Sequence, residues 1–191
     1  MMFDAVPADP FQHGECRIKL ADGEWELRQA QSLRKRVFVE EQQVFRISDF
    51  DHLDHDAYTL IATTSMLGIP DSVVGTVRIN QTARGKWQGS RLAVDAMYRH
   101  SSGIGKDLIK MAVGTALTLG CESFYANVQL QNQAFFERLG WCVLGHVLVE
   151  GLDHVFMQAN LNLYSPAPDP NHGCFHLFSK ALPPEKSRNK A

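Results

Sequence analysis

The sequence predicts an α/β domain built on a mixed sheet, and three observations predict it. Two β-branched runs, AYTLIATTS and VVGTVRI, follow an amphipathic helical stretch near the N-terminus. A further strand, RLAVD, leads through a glycine-bearing loop into a long helix. Two apolar runs, VLGHVLVE and HVFMQANL, then close the domain as a strand pair. Helices and strands that alternate early and end in paired strands fit a sheet with both parallel and antiparallel neighbours.

The elements follow in order. The first 14 residues, rich in Pro and Asp, are expected to be flexible, and folded structure is expected from residue 15 to residue 163. CRIKLA, from Cys16 to Ala21, alternates polar and apolar residues like an edge strand. From Glu24, the apolar residues Trp25, Leu27, Ala30, Leu33, Val37 and Phe38 recur at helical spacing, which predicts one amphipathic helix or two in succession. Residues 46–56 hold Asp49, Asp51, Asp54 and Asp56 among histidines and read as an acidic connecting loop. MLGIPD supplies the Gly, Pro and Asp of a hairpin turn between the β-branched runs. After the RLAVD strand, Leu108, Ile109, Ala112, Ala116 and Leu119 share one helix face that Gly120 closes. ESFYANV is the fourth main strand, and QNQAFFERLGW a short helix stopped by Gly140. Gly151-Leu152-Asp153 is placed at the last turn. Residues 164–191 read as a Pro-rich linker and a basic tail, with CFHLF as an apolar island able to dock on the domain.

Composition narrows the function. The chain has 191 residues, 45% hydrophobic and 21% charged, enough to bury one sizeable core. Nineteen Lys and Arg against 21 Asp and Glu give a formal charge of −2, no footprint for nucleic acid or an anionic membrane. No run approaches the ~20 apolar residues of a membrane span. The N-terminus lacks a secretory pattern, and Cys16, Cys121, Cys142 and Cys174 lack metal-ligand or CxxC spacing. Reduced thiols, a cytoplasmic location and no metal are therefore expected.

The stretch RLAVDAMYRHSSGIGKDLIKMA carries the chemistry. A strand that passes through glycines into a helix N-terminus presents unpaired N–H groups and the positive end of the helix dipole to an anion. Arg99 and Lys106 would add charged contacts. A lone Gly-x-Gly would indicate only tight packing; the third glycine of a dinucleotide fingerprint and the GK[ST] of a Walker loop are absent.

The context decides the matter. This stretch resembles the acetyl-CoA-binding motif of the GNAT superfamily: a strand ending in Val-Asp, then Tyr-Arg, Gly-x-Gly and a long helix. QNQAFFERLGW resembles that family's second motif, and RKRVFVEEQQVF, DFDHLDHDAYTLIA and VVGTVRI are similar to the N-terminal half of its ElaA-like subgroup. The resemblance runs from about Gln29 to Leu161 with the motifs in order. It implies a mostly antiparallel central sheet flanked by helices and splayed at the acyl-CoA-binding strand. It also implies a transferase that moves acetyl from acetyl-CoA to a primary amine in a ternary complex.

By that resemblance, the backbone of Leu92, Ala93 and Val94 holds the pantetheine arm and thioester. Arg99, His100, Ser101, Ser102, Gly103, Ile104, Gly105 and Lys106 form the diphosphate loop, and Asn132 and Phe136 of the second motif border the donor. Two positions depart from the pattern. His100 stands where Arg or Gln is usual, as though the loop held one extra residue. Phe136 replaces a Tyr that in many members protonates the departing thiolate, and Phe has no proton to give. His154, in a segment similar to the subgroup's closing strand, is the expected substitute, unless it is a core histidine satisfied by a hydrogen bond. Glu41 is the expected acceptor of the amine's proton, unless it pairs with Arg36 or Arg78. Asp51 and Asp54 are assigned to the acceptor, unless the acidic loop is only a solvated surface; Arg78 is assigned as a grip on an acceptor carboxylate, unless it pairs with Glu41 or Asp51, whereas Arg91 is read as structural. The partner is a small-molecule amine, with a homodimer left open. A noncatalytic CoA-binding module and an acyl-homoserine-lactone-synthase-like transferase are the alternatives.

Overall fold

The computed structural model describes residues 14–66, 68–99 and 103–178. Eight strands form one sheet: β1 (Glu15–Leu20), β2 (Tyr58–Met66), β3 (Ile69–Ala83), β4 (Lys86–Val94), β5 (Ser123–Gln129), β6 (Trp141–Val149), β7 (Leu152–Ala159) and β8 (Cys174–Leu177). Their order is β6-β7-β5-β4-β3-β2-β1-β8. Every neighbouring pair is antiparallel except β4 and β5, which are parallel. The mixed, mostly antiparallel sheet expected from the sequence is therefore present. Its single parallel step exists because α2 (Ile104–Thr118) crosses over between β4 and β5.

Among the described residues three α-helices cover the sheet. α1 (Glu24–Lys35) starts where Glu26, three residues past the N-cap, accepts from the backbone N–H of Asp22 at 2.9 Å and from Lys19 Nζ at 2.9 Å. Buried Glu26 thus has both its charge and its hydrogen bonds answered. The helix continues into a π turn, Arg36–Glu41, closed by the Gln42 N–H on the Val37 carbonyl. Ala30, Leu33, Val37 and Phe38 pack with Ile61, Val73 and Ala93 on this face. On the other face α2 and the short α3 (Gln133–Arg138) cover the larger core, into which Ile104, Leu108 and Val113 are fully buried. Each such side chain contributes roughly 1.5–3 kcal/mol. Gly75 lets α2 approach, since a Cβ there would lie 2.9 Å from both Ile104 and Leu108.

Several expectations are corrected at their ends. CRIKLA is not an edge strand: the CFHLF island supplies β8, which pairs with β1 outside it and carries regular structure past residue 163. The VVGTVRI strand begins at Ile69 and runs to Ala83, and KWQGS belongs to β4 rather than preceding it. The last turn is Glu150-Gly151, with φ of 51° and 76°, the pair of positive values that a tight hairpin turn requires. Among the described residues no helix is long and apolar enough to cross a membrane.

Candidate functional site

The site forms where β4 and β5 part. Lys86–Gly89 pair with Ser123–Ala126, and no pairing continues beyond Gly89 and Ala126. The cause is local. Arg78 pairs with Ser90 and Thr76 with Ala93, so Arg91 and Leu92 together oppose Val77. That is a β-bulge, and Arg91 sits in it at a φ of 55°, uncommon for a residue with a Cβ. The bulge bends β4 and leaves Ser90 and Arg91 on the same face, where both hydrogen-bond into one network.

A cavity of about 360 Å³ occupies the opening. It is lined by Phe38, Phe45, Asp51, Leu53 and Arg78 from the α1 face and by Ile109, Ala112, Phe136 and Trp141 from the α2 face. Arg91, Leu92, Asn127 and Val128 line it where the strands diverge. Its lining thus comes from both sides of the sheet, which allows two reactants to meet from opposite faces.

The α1-side wall is an ion network of Arg34, Arg78 and Arg91 with Asp49, Asp51 and Asp54. Arg78 Nη1 and Nη2 donate to Asp51 at 2.6 and 3.0 Å, and Nε donates to Ser90 Oγ at 3.0 Å. Nη1 also lies 2.8 Å from Asp54. Arg34 bridges Asp49 at 2.7 Å and Asp54 at 2.5 Å. Arg91 reaches Asp49 at 3.2 Å and Asp51 at 3.0 Å, with its guanidinium 4.6 Å from the Phe45 ring centre. Burial raises the Asp54 carboxyl, but hydrogen bonds from Arg34 and the Asp51 N–H, with the charges of Arg34 and Arg78, outweigh it and hold the group at about 2. Burial acts on Asp51 in the same direction, and Arg78 and Arg91 overcome it to keep that carboxyl below its usual range.

This geometry corrects the acceptor assignments. Arg78, 2% exposed, has its donors committed and cannot grip an acceptor carboxylate. Asp51 lines the cavity, yet its oxygens already accept from Arg78, Arg91 and the Leu53 N–H. Asp54 is held beneath by Arg34 and Arg78. Both carboxylates are poor proton acceptors near neutral pH. Glu41 is not among the residues lining the cavity, and it pairs with Arg99 at 2.6 Å rather than with Arg36 or Arg78. Arg99 also donates to the Val94 carbonyl at 2.7 Å, which ties the end of β4 to the π turn.

One measurable consequence concerns acid. Asp54 has its folded value lowered from 3.8 to about 2, so its contribution to stability is complete above ~4 and is lost as pH falls through about 2. Urea midpoints taken from pH 6 down to pH 2 should fall most steeply below ~4. In Asp54→Asn that slope should flatten; an unchanged slope would remove Asp54 from the account.

Most residues assigned to the donor lie at the end of β4 and the start of α2. Leu92 lines the cavity, Ala93 is buried against α1, and Val94 packs towards α2, so these residues offer backbone rather than polar side chains. The backbone of residues 90–94 has no strand partner on the β5 side. Gly103 caps α2 at a φ of 76°. Ile104 is buried in the core, and a Cβ on Gly105 would lie 3.9 Å from Val94. Lys106 lies in the first turn of α2. His100, Ser101 and Ser102 lie outside the described residues. Asn132 and Phe136 line the cavity, with Phe136 edge-on to Trp141 at 5.1 Å.

His154 also lines the cavity and is 7% exposed. Its Nδ1 lies 2.9 Å from the Leu152 carbonyl, which can only accept, so Nδ1–H donates, and the tautomer that this fixes has its lone pair on Nε2. The backbone hydrogen bond to one ring nitrogen is compatible with either reading of His154. Sequence reasoning missed Phe45, Asn127 and Glu150, which line the cavity from three separate segments. It also missed the bulge at Arg91, whose only signal is an arginine interrupting an apolar strand.

Comparison with known proteins agrees with this geometry. The model of the acetyltransferase (GNAT) family matches residues 24–141. An inferred acetyltransferase of Bacillus subtilis (strain 168) is 31% identical over 146 residues, 73% of this chain and 93% of that protein. An inferred N-acetyltransferase from Lactobacillus plantarum has a similar crystal structure, with a TM-score of 0.69 and 25% identity over 76% of this chain and 98% of that one. Escherichia coli ElaA shares the fold at a TM-score of 0.64 and 20% identity, over 76% of this chain and 98% of its own.

Proposed function

The chain belongs to the acetyltransferase (GNAT) family, and from that premise we propose that it transfers acetyl from acetyl-CoA to a primary amine by direct attack in a ternary complex. The observation that carries this reading is the parting of β4 and β5 beyond Gly89 and Ala126. It frees a strand edge to hold the pantetheine amides and opens a cavity lined from both faces of the sheet. The residues present fit the donor. Gly103 and the first N–H groups of α2 suit its diphosphate, and the apolar floor formed by Ile109, Ala112 and Phe136 suits its arm. The acceptor enters from the α1 face. There the arginines are neutralised by aspartates, and the Glu150 carboxylate also lines the cavity, a wall better suited to an ammonium than to an anion.

In the reaction the amine nitrogen bonds to the thioester carbonyl carbon and the C–S bond breaks, giving an amide and CoA thiolate. An ammonium acceptor gives up one proton to solvent before attack, and a second N–H proton passes from nitrogen to sulfur. His154 Nε2 is the group placed to take a proton from nitrogen and return one to sulfur, which removes the need for a hydroxyl at Phe136. Free thiols at Cys16, Cys121, Cys142 and Cys174 suit a reducing compartment, so we place the reaction in the cytoplasm.

The test has two parts. CoA should raise the melting temperature, since a ligand of the folded state alone adds about 2.7 kcal/mol at 100 times its Kd. Gly103→Val, forced to a φ that L residues avoid and 3.4 Å from His176, should need at least ~10-fold more CoA for the same shift. Thiol release from acetyl-CoA across a pool of amines then identifies the acceptor. CoA binding with no release from any amine would convert the reading into a noncatalytic binding module.

A further inference from the structure

Strand β8 lies outside the residues that match the family, and it meets the start of α2 through side chains that the reaction above does not use. His176 pairs in register with Cys16 of β1. Its Nδ1 lies 2.7 Å from Asp107 Oδ2 in the first turn of α2, and a carboxylate only accepts, so Nδ1–H donates. A Cβ on Gly103 would lie 3.4 Å from the same imidazole. Two residues on, Phe178 packs against Tyr98 at 5.3 Å and against the His176 ring at 5.6 Å. Contacts from β8 and the residue just after it thus reach both Tyr98, which follows β4, and Gly103, which caps α2. The strand is anchored elsewhere too. Arg17 donates to the His172 carbonyl at 2.7 Å and lies 5.5 Å from the Phe175 ring centre.

We propose that β8 is a clasp that prepares the first turn of α2 for the donor's diphosphate, with His176 as a positioning residue acting through Asp107. The proposal rests on the donor reading given above. Asp107 is the difficulty that the clasp resolves. A carboxylate in the first turn suits a helix dipole, but it repels a diphosphate that must sit on the N–H groups of the same turn. His176 ties that carboxylate from one side, and Lys110 Nζ stands 3.7 Å from its other oxygen. The imidazole also packs where Gly103 has no side chain and so braces a backbone that only glycine adopts easily. General support of the helix does not need this contact, because Ile104 and Leu108 already fix α2 in the core against Gly75.

The experiment is a cycle of His176→Ala, Asp107→Asn and the double variant in the full chain. CoA affinity is measured by calorimetry, alongside the melting temperature of the free protein. His176→Ala should weaken CoA about tenfold. Asp107→Asn in that background should restore most of the loss, since the charge that needed compensating is gone. His176→Gln, whose amide can still donate to Asp107, should stay within about twofold of the parent, a limit we set from the retained hydrogen bond. CoA affinity indifferent to His176→Ala would overturn the clasp alone. So would a loss that Asp107→Asn fails to repair and that tracks the melting temperature, because it would make β8 mere packing. A parent protein that does not bind CoA would sink the donor reading and the clasp together.

Discussion

Replacing Arg78 by Met should destabilise the protein by about 3–5 kcal/mol, the range for removing one partner of a buried ion pair. Arg78 is 2% exposed and answers Asp51 and Asp54 at once. Without it, Asp54 keeps only Arg34 as counter-charge, and Asp51 only Arg91, whose own proton affinity is already lowered by burial. Arg78→Lys should rescue little, because an ammonium cannot reproduce the paired contacts to Asp51 together with the bond to Ser90. The damage should extend to the site, since the same network braces the bulge at Arg91. Urea unfolding at pH 7 is the measurement. A loss below ~1 kcal/mol would mean that the network is solvated and contributes no more than a surface pair.

The network also marks the limit of what the sequence discloses. Arg78 in the apolar run VVGTVRI announces that a counter-charge must exist, because a bare guanidinium in a strand is too costly to bury. It leaves Glu41 and Asp51 both open as partners, and only the fold brings Asp51, 27 positions away, against it. Glu41 illustrates the same gap: a carboxylate after an amphipathic helix invites a catalytic role, yet its partner Arg99 follows a strand and a turn that arrive much later in the chain. Periodicity made α1, α2 and the strand runs legible, since burial of one face imposes a regular pattern wherever the element is long. CFHLF is too short for that, and only its pairing to β1 makes it a strand. The bulge was hidden for another reason. Arginine is a poor predictor of positive φ, so Arg91 looks like an ordinary interruption until its register against Val77 is seen. The bulge lies just beyond the last pair of β4 with β5, and the cavity occupies the opening between them.

His154→Ala should lower turnover about 100-fold, some ~2.7 kcal/mol of barrier, while leaving CoA affinity within about twofold. The size follows from two duties resting on one nitrogen. Nδ1 is held by the Leu152 carbonyl, so in the proposed mechanism Nε2 alone takes the proton of the attacking amine and supplies one to sulfur. Neither duty exists in the bound ground state, so binding is spared. Added imidazole should restore part of the rate by re-entering the space that the side chain leaves, and a residue that only packed the strand would not be rescued in this way. Phe136→Tyr is the companion variant. Phe136 lies in an aromatic cluster with Phe135 and Trp141 at 5.7 and 5.1 Å, so a hydroxyl there is expected to change turnover by less than ~3-fold, about 0.6 kcal/mol, while His154 is present. In the His154→Ala background the same hydroxyl should recover activity, because sulfur then lacks a proton source. A rise in turnover from Phe136→Tyr without any effect of His154→Ala alone is excluded by this scheme, and observing it would return the proton to the second motif and leave His154 a structural histidine.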